Sequence, residues 1–303
     1  MTEHLIPLPV IKKLGERVSR VLGLNPGKFT LQGTNTYLVG TGKDKLLIDT
    51  GGGKPGYSRA LTTALEELNV ARINGILLTH WHHDHVKGIP SVLDVCKQRH
   101  MEDPPLYKRL NPERDDKELK FNNIEDGQIF SVEGATLTAY HTPGHTSDHF
   151  VFKLNEDNSL FAGDNVLGQG TTVFEDLGAY MNSLSRMLTL KPNIIYPGHG
   201  PVIKEGTQML RNYIEHREAR EKQILSLLRQ IRKDANYQEK YIFASHLVEK
   251  MYFKYPKEIH PAAEKIVTLQ LEKLVSDSRV VYRIIGDNMK VWSLAHESLK
   301  IKY

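Results

Sequence analysis

The sequence predicts an α/β sandwich followed by a separate C-terminal unit of helices closed by a β-hairpin. Three observations carry that prediction. Short strand-like runs alternate with amphipathic segments through the first two hundred residues. Several of those runs stop at turns bearing Gly, Asp or His. Beyond Lys204 the pattern changes to long stretches of helical spacing. A chain of 303 residues accommodates one large domain or two modest ones. We expect a domain over residues 1–204, a connecting long helix over 205–236 and a winged-helix-like domain over 237–303.

Taken in order, the runs 17–22, 37–40, 45–49, 75–78, 128–131, 136–141, 150–154, 160–162 and 193–196 have the length and composition of strands. Segment 57–68 places Leu61, Ala64, Leu65 and Leu68 on one face at helical spacing, and 90–97 is a second helix. The charged stretch 111–120, opening Asn-Pro-Glu-Arg, is a loop or a short exposed helix. From 207 to about 233 one long helix carries Leu210, Ile214, Ile224, Leu227, Leu228 and Ile231 as its apolar positions. Two amphipathic helices over 243–253 and 262–274 follow. Strands at 280–285 and 290–294, joined at Gly286-Asp287-Asn288, then complete a winged-helix pattern.

Composition narrows the function classes. Apolar residues are 40% and charged residues 25%, with no repeat, which excludes wholesale disorder, collagen and solenoid arrays. Apolar runs such as 76–78 and 194–196 are strand-sized, far short of the roughly 18 residues of a membrane span, so a soluble protein without a membrane partner is expected. The single cysteine, Cys96, cannot close an intramolecular disulfide, so a metal site would use His and carboxylate ligands. Pro7 and Pro9 interrupt the only N-terminal apolar run, which argues against secretion. Segment 11–22 carries Lys12, Lys13, Arg17 and Arg20 among apolar residues and suggests an organelle-targeting helix, although Glu16 and a competing strand reading of 17–24 stand against it. Net charge is −1 over residues 1–204 and +5 over 205–303, so the basic excess lies in the C-terminal third. An anionic partner or simply Lys-rich surface helices would each explain it.

The chemistry concentrates at strand ends. Thr79-His80-Trp81-His82-His83-Asp84-His85 follows the buried strand at 75–78. His80 and His82, two apart in an extended loop, can grip one cation, and Asp84 and His85 are offset to reach a second. Three further strand ends carry Thr142-Pro143-Gly144-His145, Ala162-Gly163-Asp164 and Tyr196-Pro197-Gly198-His199-Gly200. Together they offer seven ligand-type residues, the number that two cations sharing one carboxylate require.

In these motifs the chain resembles the metallo-β-lactamase superfamily, whose early Asp is matched by Asp49 in Leu46-Leu47-Ile48-Asp49-Thr50-Gly51. The resemblance implies a metallo-β-lactamase αβ/βα sandwich binding two zinc ions. His80, His82 and His145 would hold one, Asp84, His85 and His199 the other, and Asp164 would bridge them. Asp49 is expected to fix the His loop by hydrogen bonds, and Asp84 and Asp49 are the residues expected to serve catalysis. His83 stands at a variable position of the motif.

Subfamily features point further. Only 35 residues separate Asp164 and His199, too few for the inserted domain of the superfamily's large nucleases. Residues 33–40, 163–164, 170–177 and 196–203 resemble most closely the β-lactamase-like protein 2 group, which joins this domain to a winged helix. That resemblance implies an endoribonuclease acting on single-stranded RNA in the mitochondrial matrix, with the cytoplasm as the alternative; in-line attack by a metal-bridged hydroxide would leave 3′-hydroxyl ends, and no obligate protein partner is evident. Arg229, Arg232 and Lys233 are the expected RNA-backbone contacts. A glyoxalase II-like thioester hydrolase is the alternative, and a non-catalytic nucleic-acid-binding protein a third reading. His141 and His149 are expected to be ordinary strand-edge histidines, with hydrogen-bond donors beside the His145 turn as the alternative, and Gly168 to Thr172 either a phosphate-receiving loop or a plain turn.

Overall fold

Side chains that alternate across a strand build the core of the N-terminal part. In β3 (Asn35–Val39), β4 (Asp44–Ile48) and β5 (Arg72–Leu77), Leu38, Leu47 and Ile76 point to one face. There they meet Tyr57, Leu61 and Leu65 of α1 (Pro55–Glu67) and Val92 and Cys96 of α3 (Ile89–Gln98). Tyr37, Val39, Leu46, Ile48 and Leu77 point the other way. They pack with Leu137 and Ala139 of β9 (Ala135–His141), Phe150 and Phe152 of β10 (Phe150–Leu154) and Phe161 of β11 (Ser159–Gly163). The computed structural model describes residues 5–233, 241–286 and 288–295.

The first sheet has the order β1 (Ile11–Lys13), β2 (Val18–Leu22), β3, β4, β5, β6 (Leu106–Lys108), β7 (Phe121–Asn123). It is antiparallel up to β4 and parallel from there on. The second has the order β12 (Ile195–Pro197), β11, β10, β9, β8 (Ile129–Val132), antiparallel except for the β11–β12 pair. Two sheets face each other across one apolar cluster while α1 and α3 cover the outside of the first, and the single turn α2 (His83–Val86) lies between β5 and α3. The helix α4 (Leu177–Thr189) starts where Asp176 accepts a hydrogen bond from Ala179 N–H at 2.9 Å. It buries Tyr180, Leu184 and Met187, and Arg186 Nη1 donates to the His141 carbonyl at 3.1 Å.

Several elements differ from expectation for identifiable reasons. Segment 11–22 is no amphipathic helix: Ile11 pairs with Val21 and Lys13 with Ser19 in antiparallel strands, and Arg20 is buried, donating to the Pro9 carbonyl at 3.0 Å. Strands β6 and β7 have three residues each, too short for a periodic signal. Gly178, Asn182 and Ser185 mask the helical pattern of α4 in the sequence. Residues 111–120 form turns and no helix.

The chain divides into two units between Arg211 and Asn212, inside α5 (Gly206–Lys233). The physical reason is packing. Ile224, Leu225, Leu228 and Ile231 of α5 belong to the second unit's core, with Leu247 and Val248 of α6 (Ala244–Met251) and Val267 and Leu271 of α7 (His260–Ser276). Val280 of β13 (Val280–Ile285) and Trp292 of β14 (Met289–Leu294) complete that cluster. The hairpin runs in register from Val280 opposite Leu294 to Ile285 opposite Met289. Asp287 of its tip, and residues 234–236 of the expected connecting helix, lie outside the described residues. No described helix is long and apolar enough to cross a membrane.

Candidate metal centre

Each candidate ligand stands just past the end of a strand in the N-terminal unit. Asp49 follows β4, residues 80–85 follow β5, His145 lies between β9 and β10, Asp164 follows β11 and His199 follows β12. Glycines make the approach possible. A Cβ on Gly88, behind the His loop, would lie 1.7 Å from the Thr50 carbonyl oxygen, and one on Gly144, at φ +131°, would lie 2.3 Å from Cα of Tyr180. Thr50 locks the same loop, donating through N–H and Oγ1 to the His85 carbonyl at 2.9 and 2.7 Å.

Two groups of ligand atoms result, each within 4.8 Å of one another: His80, His82, His145 and Asp164 in one, Asp84, His85 and His199 in the other. In the first, His80 Nε2, His82 Nδ1 and His145 Nε2 stand 3.0, 3.1 and 3.3 Å apart. In the second, His199 Nε2 lies 3.1 Å from Asp84 Oδ2 and 3.3 Å from His85 Nε2. Asp164 reaches both: Oδ1 is 3.3 Å from His199 and 3.4 Å from His85, and Oδ2 is 3.7 Å from His145.

Neighbouring groups fix which nitrogen carries the proton. The Val173 carbonyl only accepts, so His145 donates from Nδ1 at 2.7 Å and its Nε2 lone pair faces the cluster. Thr79 Oγ1 donates to Asp49 at 2.9 Å and accepts from His80 Nδ1 at 2.9 Å. His85 Nδ1 donates to Asp49 Oδ2 at 2.8 Å. The Nε2 lone pairs of His80 and His145 therefore face each other 3.3 Å apart with no proton between them, and Asp164 Oδ1 is buried without a hydrogen-bond partner. Both facts fit a bound cation and are unfavourable otherwise.

The electrostatics separate the two groups. Burial, with the neighbouring His145 and His85, lowers His82 to about 4, and burial likewise holds His80 well below the ordinary range. For His199 burial pulls downward, but the neighbouring carboxylates of Asp164 and Asp84 outweigh it and raise it to about 9. His85 is raised for the same reason. Burial opposes ionisation of Asp84 and Asp164, yet His85 and His199 keep both well below the usual carboxylate range.

Some expected residues are elsewhere, and some at the site were not anticipated. His83 is exposed and belongs to neither group, and His141 binds the Ser147 carbonyl at 3.0 Å. His149 is no strand-edge residue. Fully buried, it packs against the His80 ring at 5.1 Å and accepts from Asp164 N–H at 3.2 Å, a burial that lowers its pKa strongly. Nothing in the sequence distinguishes it from His141; only the fold back of β10 over the site does. Thr34, which donates to Asp84 Oδ2 at 3.4 Å, was likewise missed. Asp49 touches Thr79 and His85 and stands outside both ligand groups. The loop 168–172 borders the centre, where a cavity of about 540 Å³ is lined by Lys28, Phe29, Asp84, Asp164, Thr172 and His199, among others. A shallow groove of about 670 Å³ around Thr41 and Glu133 contains no ligand group. Arg229, Arg232 and Lys233 are exposed positions of α5, in the second unit.

An αβ/βα sandwich with His and Asp ligands at its strand ends defines a metal-dependent hydrolase of the metallo-β-lactamase class. The chain belongs to the metallo-beta-lactamase superfamily, whose profile matches residues 29–199; that of the beta-lactamase associated winged helix domain matches 244–292. The fold of that family implies divalent metal binding. A Caenorhabditis elegans protein named beta-lactamase-like protein 2 homolog is 43% identical over 273 residues, 89% of this chain and 88% of its own. A Claviceps purpurea protein named atrochrysone carboxyl ACP thioesterase is 40% identical over 299 residues, 97% of this chain and 91% of its own. The crystal structure of a beta-lactamase domain protein from Burkholderia ambifaria shares the fold, with a TM-score of 0.73 at 17% identity over 97% of this chain and 98% of that one.

Proposed function

We propose that this protein is a zinc hydrolase with two ions per chain that cuts single-stranded RNA internally and leaves 3′-hydroxyl ends. The observation that carries the reading is the wall of the cavity above the ligand cluster. Phe29 is 71% exposed there, with Lys28 Nζ 5.7 Å from its ring centroid. An exposed ring stacks an unpaired base and the adjacent ammonium neutralises its phosphate. When bound, the two ions supply an activated water and polarise the bond it attacks. The chain's own residues do the rest. Asp84, supported by Thr34, lines the cavity, where it would accept a hydrogen bond from the attacking water, and Asp49 holds His85 and Thr79 in place. Exposed Arg229, Arg232 and Lys233 supply further backbone contacts.

Thioester hydrolysis is a second reading, favoured by the 40% identity with the protein named an ACP thioesterase. The two are separated by offering end-labelled single-stranded RNA, the same RNA as duplex, S-lactoylglutathione and an acyl-pantetheine thioester in parallel, each with chelator controls. Chelator-sensitive internal cuts in the single strand, with 3′-hydroxyl ends, are expected. Thioester hydrolysis without RNA cleavage would overturn the nuclease reading.

A further inference from the structure

We propose that Arg114, held over Trp81 beside the candidate ligand His82, is a receptor for a phosphate of the substrate next to the reacting bond. The inference rests on the reading of the substrate as a phosphate-bearing chain. It names a residue outside the ligand set and outside the cavity lining.

The geometry begins at the end of β6. Lys108 is 1% exposed, donates to the Arg109 carbonyl at 2.9 Å, pairs with Asp115 and lies 3.3 Å from Asp148 Oδ2. Asp115 in turn accepts from Asn111 N–H at 2.7 Å. The Asn111 carbonyl takes the N–H groups of both Arg114 and Asp115, at 2.9 and 2.8 Å. The turn over 111–115 is therefore closed on itself and pinned to a buried ammonium, and Asp148 ties that ammonium to the loop carrying His145. Arg114 leaves this fixed turn and lies over the Trp81 indole, 4.6 Å from the ring centroid. The Trp81 and His82 rings are themselves 4.6 Å apart. Two ring contacts are all that separate the guanidinium from the cluster.

What Arg114 leaves unused is informative. The turn is complete without its side chain, and among the described residues no carboxylate ion-pairs with it. Stacking occupies one face of a guanidinium and leaves its edge of N–H donors in the plane, the edge that matches two oxygens of a phosphate. The stack also removes much of the rotamer freedom that binding would otherwise cost. The cavity lining includes His82 but neither Trp81 nor Arg114. A substrate long enough to leave the cavity across His82 thus meets a second, pre-oriented cation after Lys28.

The test compares holoenzyme with Arg114→Ala and Arg114→Lys on a single-stranded RNA 12-mer, reading KM, kcat, salt dependence, bound metal and thermal midpoint. Loss of one charge-assisted phosphate contact predicts KM raised about tenfold for Arg114→Ala with kcat changed less than about twofold. The salt slope should flatten by about 0.7. Arg114→Lys keeps the charge, so it should retain the slope but recover only part of the affinity. An unchanged KM and slope overturns the proposal. So does a joint fall of kcat, metal content and thermal midpoint, which would mark a structural role. If the wild-type protein cuts no RNA but hydrolyses acyl-pantetheine, the nuclease reading fails separately, and Arg114 is judged on acyl-pantetheine with and without its 4′-phosphate. A preference for the phosphorylated form that Arg114→Ala abolishes supports the proposal, and a preference that persists refutes it.

Discussion

Asp49 is where the link from backbone to metal affinity can be measured most directly. Its carboxylate is 2% exposed and accepts three hydrogen bonds: from Thr79 N–H at 2.8 Å, Thr79 Oγ1 at 2.9 Å and His85 Nδ1 at 2.8 Å. The residue also sits at φ 57°, a left-handed conformation that Asn adopts as readily as Asp. Asp49→Asn therefore preserves size and backbone while replacing one accepting oxygen by an NH2 group. That group faces a donor whichever way the amide turns. If it faces His85, the ring loses the bond that keeps its proton on Nδ1 and its Nε2 lone pair on the cluster. Loss of such a supporting partner weakens metal binding by about 10- to 100-fold, or about 1.4–2.7 kcal/mol. Asp49 touches His85, of the group containing Asp84 and His199, directly, but reaches His80 of the other group only through Thr79, so the loss should fall more heavily on one binding step. Titrating metal-free wild type and variant with Zn²⁺ against a chromophoric chelator reads both steps. Two unchanged affinities would refute the argument, and so would equal weakening of both steps.

Metal binding at pH 7.5 should release protons, because His199, raised to about 9, is protonated in the metal-free protein and must lose that proton to become a ligand. The sign follows from the raised value: release from His199 is complete well below pH 9 and falls away above it, and a binding enthalpy independent of buffer ionisation at pH 7.5 would contradict it. Lys108→Ala strands Asp148, whose side chain is 3% exposed, and should cost about 3–5 kcal/mol in urea unfolding at neutral pH. Burial already raises the Asp148 carboxyl, so the deficit should shrink as acid neutralises it; a deficit that grows in acid would contradict the assignment. Gly144→Ala places a Cβ 2.3 Å from Tyr180 Cα at a φ of +131° and should cost about 1–3 kcal/mol while reducing bound metal, measured by thermal unfolding and metal analysis. A variant with wild-type midpoint and two bound ions would show that the His145 turn can relax.

The sequence by itself determined the sandwich, the winged unit and the ligand-type residues. Each of these is written in local signals: period-two strands, Gly-assisted turns, and the His-x-His-x-Asp-His spacing after β5. The ends of those strands converge because the two sheets share one apolar face, so His80, His145, Asp164 and His199 meet although 119 residues separate the first from the last. What had no local signal was decided by tertiary packing. His149 and His141 are alike in sequence, yet one is buried behind His80 and the other lies at the surface of the same hairpin. The three-residue strands β6 and β7 exist because the growing parallel sheet offers them a paired edge. The boundary between the units falls at Arg211, since the apolar positions further along α5 complete the second unit's core. Arg114 reads in the sequence as one more charge in a polar loop. Only the fold lays it on Trp81, because the buried Lys108 holds the turn that carries it.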